Sequence, residues 1–117
     1  SMTEAEKRIK AGIIRCQQTE DICPGTTDFK VLPAGKLAAV DVGPVEIVGF
    51  VSCGGCPGKR AVSRVRTLLE RGAEVIFLAS CIRKGNPINF PCPHFEAMKA
   101  AIEKAIEGKA RLIDWTH

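Results

Sequence analysis

Apolar positions in this chain switch between two periods. Ile9 to Arg15 (IKAGIIR), Val45 to Val51 (VEIVGFV) and Glu74 to Ser80 (EVIFLAS) are short, nearly unbroken apolar runs. Runs of that length predict strands covered on both faces. Ala110 to Trp115 (ARLIDW) predicts a fourth strand. Between them the spacing turns helical. Over Pro57 to Arg71, Val62, Val65, Leu68 and Leu69 fall on one side and Lys59, Arg60, Arg64 and Arg66 largely on the other, with Gly72 as the stop. Cys92-Pro93-His94 opens a last helix whose core face is Phe95, Met98, Ile102, Ala105 and Ile106, ended by Gly108. Pro24 to Leu32 predicts a short helix limited by Pro33 and Gly35, while 36–44 reads as irregular and Ile82 to Pro91 as a loop.

Four strands alternating with helical segments imply right-handed crossovers and a mostly parallel sheet. The expected fold is a three-layer α/β domain, four-stranded, with Rossmann-like or flavodoxin-like winding. One domain over residues 3–117 suits the chain length, and Ser1-Met2 reads as a remnant of tag removal.

Composition changes this picture at one point. A hydrophobic content of 45% and a charged content of 26% are ordinary for a globular chain, but six cysteines are not. No apolar run approaches a membrane span and the start, SMTEAEKRIK, is charged rather than signal-like, so cytoplasm is the simplest location. In a reducing compartment that many thiols point to metal or redox work rather than to disulfides. The net charge of +4, with one Trp, five Phe and no Tyr to stack on bases, makes a weak case for nucleic acid. A small anionic substrate accounts for it equally well.

The chemistry gathers at the carboxyl ends of the predicted strands. Cys53-Gly54-Gly55-Cys56 forms the turn from the second strand into its helix. Pro57 suits the first helical position, which makes Cys56 the expected N-cap, where the helix dipole favours thiolate. Cys16 follows the first strand, Cys81 the third and His117 the fourth, while Cys23 and Cys92 each precede a proline, with His94 beside Cys92. A parallel sheet places all of these on one edge. Structural cysteines scatter through apolar positions instead. Several thiolates repel one another unless a cation compensates, and soft donors select zinc, copper(I) or iron–sulfur.

Other patterns fail. Gly58-Lys59-Arg60 lacks the spacing and the hydroxyl of a phosphate-cradling loop, no Gly-x-Ser-x-Gly elbow exists, and no Cys precedes an Arg by six positions as small phosphatases require.

The segments IIRCQQTEDICPGT, VGFVSCGGCPGKRAVSR, RGAEVIFLASCI, PCPHF and the closing TH resemble the family named for its CGGC motif, small Cys- and His-rich proteins associated with metal binding. The resemblance implies metal ligation by Cys16, Cys23, Cys53, Cys56, Cys81, Cys92, His94 and His117, with zinc as the first expectation and a [4Fe–4S] cluster as the second. Two further readings stand beside it. One is a thiol–disulfide oxidoreductase with Cys53 as nucleophile and Cys56 as resolving thiol. The other is an iron–sulfur enzyme acting on a small anion under a lid formed by Ile82 to Pro91, with Arg83 and Lys84.

Overall fold

The computed structural model describes residues 8–117, so the expected tag remnant and most of the charged start lie outside the described residues. Four strands, β1 (Ile9–Arg15), β2 (Val45–Ser52), β3 (Val75–Leu78) and β4 (Arg111–Ile113), form one all-parallel sheet in the order β2-β1-β3-β4. Four helices connect them: α1 (Thr26–Val31), α2 (Ala61–Glu70), α3 (Ser80–Arg83) and α4 (Phe95–Ile106). Short 3-10 turns occupy Gln17–Thr19 and Leu37–Ala39, the latter inside the stretch expected to be irregular.

The three-layer expectation holds, and side-chain alternation on β2 shows why. Gly49 pairs in register with Gly12 of β1, and both lie beneath Leu68 of α2. A Cβ on Gly12 would stand 2.7 Å from Leu68 Cδ1, so the two missing side chains form the hole that Leu68 fills. The next residue, Phe50, points to the opposite face and meets Phe29 of α1 with ring centroids 5.1 Å apart. The two longer helices, α2 and α4, pack together, with Val65, Leu68, Met98, Ile102 and Ile106 buried. The other face receives only α1 and its flanking turns.

β3 and β4 are shorter than their apolar runs. β3 ends at Leu78 because Ser80 turns away to the C-terminal segment: its N–H donates to Thr116 Oγ1 at 3.1 Å. Cys81 therefore lies in α3, not at a strand end or in a loop. β4 stops before Asp114, whose carboxylate is held by Arg83 and Lys99, each at 2.9 Å. No helix among the described residues is long and apolar enough to cross a membrane.

Candidate functional site

In a sheet of this order the strand order reverses between β1 and β3, and the crevice beyond their carboxyl ends is where such folds bind ligands. Cys16 follows β1 there and Cys81 follows β3. The Cys16 backbone N–H donates to Cys81 Sγ at 3.2 Å, joining residues 65 positions apart in sequence. Cys53 N–H donates to Arg15 O at 2.8 Å, which brings the end of β2 beside the same point. Cys92 N–H donates to Ile82 O at 2.8 Å, so the segment entering α4 is pinned to α3. All six cysteines are free.

The Cys53–Cys56 bend is held from both sides. Arg64 Nη1 donates to Ser52 O at 3.1 Å and to Ser52 Oγ at 2.8 Å, and Ser52 Oγ accepts the Gly54 N–H at 3.2 Å. Gly54 has φ +84 and Gly55 φ +96, conformations that favour glycine. The expected N-cap is not formed. Gly58 takes φ +87, a left-handed conformation that no right-handed helix continues, so α2 starts only at Ala61, after Arg60. Cys56 and Pro57 instead sit in the turn closed by Gly58 N–H to Gly55 O at 2.8 Å. Cys56 thus lies outside the first helical turn, where the dipole effect has faded.

The cysteines divide into two neighbouring groups. Cys16, Cys53 and Cys56 lie close enough to Cys92 for their charges to act on its thiol. Burial pushes the Cys92 thiol up, the His94 backbone N–H draws it back, and those three neighbours push it up further. His94 makes that contact through its main chain, N to Cys92 Sγ at 3.4 Å. Beside Cys81, a cavity of ≈ 200 Å³ is lined by Cys23, Cys81, Asp28 and His117 together with Ile22 and Pro87. Burial also pushes the Cys81 thiol up, although the Cys16 N–H and the Thr19 hydroxyl favour its thiolate.

Among the described residues, no three Cys, His, Asp or Glu side chains converge on a point where one ion could sit. Cys16, Cys53, Cys56 and Cys92 carry soft donors of the kind that zinc and iron–sulfur select, without converging on one point here.

Several residues of the site were not singled out from the sequence. Arg15 is 5% exposed, donates through Nε to Cys16 O and through Nη2 to Thr19 Oγ1, and stacks over Phe50 at 5.7 Å. A lone charge closing an apolar strand, directly before a cysteine, was the available signal. Asp28 is 4% exposed and sits in a polar helix that gave no hint of burial. Ser80 receives the N–H groups of Thr116 and His117, both at 3.0 Å, and so fixes the chain end that would otherwise be loose. Within the expected lid, Asn86 and Pro87 line the cavity, whereas Arg83 pairs with Asp114 and Lys84 donates to His117 O.

The uncharacterized protein MJ0582 of Methanocaldococcus jannaschii is 39% identical over an alignment of 79 positions, covering 62% of this chain and 62% of that protein. No solved structure matches. The CGGC domain model matches residues 10–117, from β1 through the chain end that Ser80 holds, and the chain belongs to the CGGC-domain family.

Proposed function

We propose that this domain binds a metal ion through Cys16, Cys53, Cys56 and Cys92, with zinc as the ion. What supports the reading is that Cys16, Cys53 and Cys56, which with Cys92 come from three connections of the sheet, all lie near enough to act on the Cys92 thiol. Thiolates placed so closely repel unless a cation balances them, and four soft donors are the complement of a tetrahedral site. Gly54 and Gly55 let the backbone take the left-handed conformations that the bend requires. The metal supplies the balancing charge. The protein holds the bend through Arg64 and Ser52, and holds Cys92 through Ile82 O. A [4Fe–4S] cluster would use the same four thiols.

Protein purified without air should contain about one zinc per chain and be colourless. Cys92→Ser should lower zinc retention against a competing chelator by on the order of tenfold or more, while Cys23→Ala should retain it. Brown protein with iron and sulfide would reassign the metal. Protein that stays metal-free after incubation with zinc or reconstitution with iron and sulfide would refute the reading.

A second reading rests on exposure. Cys56 is exposed and Cys53 buried, so Cys56 is the thiol a substrate can reach, the reverse of the order expected from sequence. Its thiolate would attack a substrate disulfide and expel one substrate thiolate. Cys53 would then attack the Cys56 sulfur of that mixed disulfide and expel the second substrate thiolate, leaving a Cys53–Cys56 disulfide and a fully reduced substrate. Substrate reduction by metal-free protein, lost in Cys56→Ser, tests it.

A further inference from the structure

We propose that the cavity between α1 and the chain end is a binding site for a small organic cation, a primary ammonium on a short apolar body. Asp28 Oδ1 is buried and lacks a hydrogen-bond partner. The nearest imidazole nitrogen, His117 Nε2, faces it at 3.6 Å, beyond hydrogen-bond length. A buried carboxylate oxygen left without a donor costs free energy, and folded proteins rarely leave one so. With the imidazole neutral and its proton on Nδ1, the two atoms form a pair of facing acceptors. An ammonium has three donors and can bridge both.

The walls decide between an organic cation and a bare ion. Ile22, Pro24, Ala79 and Pro87 line the cavity, whose ≈ 200 Å³ is many times the ~10–15 Å³ that a single water requires. A metal ion would leave most of that apolar space empty, and no three donors among the described residues converge on a point within it. A short alkyl chain would fill it. The facing charges are consistent with this choice. From α1 the cavity sees Asp28; from the chain end it sees His117; Arg15 of β1 acts on Asp28 from behind without lining the cavity. The Cys23 and Cys81 thiols supply soft, weakly polar walls. The site is distinct from the four-thiol rim and does not depend on a metal being bound there.

The probe is n-butylammonium, set against 1-butanol and butyrate as a neutral and an anionic counterpart, with binding followed by thermal shift and by titration of backbone amide resonances. Butylammonium should raise the unfolding midpoint and shift the amides of Asp28, Ala79 and His117. Butanol and butyrate should bind at least tenfold more weakly. Asp28→Asn keeps the shape and removes the buried charge, so it should fold and should lose at least tenfold in amine affinity. Equal binding of butanol, unchanged affinity in Asp28→Asn, or no binding of the amine would overturn the proposal. Stabilisation by zinc in its place, dependent on Asp28, would also overturn it and reassign the cavity to a metal. Because the readout involves neither the rim thiols nor metal content, its failure is separable from failure of the zinc reading.

Discussion

Replacing Gly54 by alanine probes how tightly the Cys53–Cys56 bend is built. Two costs are involved, and the structure offers a reference for one of them. Gly54 has φ +84, and a non-glycine residue in that region costs about 1–2 kcal/mol, partly offset by about 0.4–1 kcal/mol from the stiffer unfolded chain. Gly108 has φ +71 with nothing within 4 Å of a built Cβ, so Gly108→Ala reports the conformational cost alone. At Gly54 the added Cβ would also stand 2.6 Å from Arg60 Cβ, an atom fixed to the backbone and unable to swing aside. Overpacking of that kind costs about 1–3 kcal/mol. Gly54→Ala should therefore lose about 1–3 kcal/mol more than Gly108→Ala. In urea unfolding, with a slope of about 1–3 kcal/mol per M, the two midpoints should differ by on the order of 1 M. Midpoints that coincide, or a larger loss in Gly108→Ala, would show that the bend is not packed against Arg60.

Other expectations follow from buried polar groups. Burial raises the Asp28 carboxyl above its usual range, while the Thr116 hydroxyl, His117 and Arg15 act the other way. Between the unfolded and the raised folded value, the native state holds more protons, so this group's contribution to stability falls as pH rises through that window. The stability of Asp28→Asn relative to the parent should accordingly increase with pH from about 4 upward, as read by denaturant titrations at several pH values; a flat difference would contradict the burial. Ser80→Ala removes the acceptor for two N–H groups, Thr116 and His117, and should cost about 1–3 kcal/mol with faster amide exchange at both positions. Unchanged exchange would mean that the chain end is held by other contacts.

Much of the frame is written in the apolar runs. Ile9–Arg15 is a strand over the whole predicted span, and Val45–Ser52 extends its run by one residue, because continuous apolar sequence of that length has few other folded uses. Parallel connection then carries Cys16, Cys53 and Cys81 toward one edge, and that inference needed no coordinates. Details depending on a single backbone conformation were not legible. Pro57 and the residues after it look like a helix start, but the left-handed Gly58 delays α2 to Ala61 and takes Cys56 away from the dipole.

The sequence by itself determined strand order of appearance, the crossover helices and the edge on which the chemistry collects, since these follow from local periodicity and the handedness of parallel connections. Only the tertiary structure decided how that edge is partitioned. It set the thiols of Cys16, Cys53 and Cys56 near that of Cys92 and, apart from them, a cavity where Asp28 of α1 meets His117, 89 positions later in the chain. Such a meeting depends on where α1 and the chain end pack, a long-range outcome that no local pattern of residues encodes.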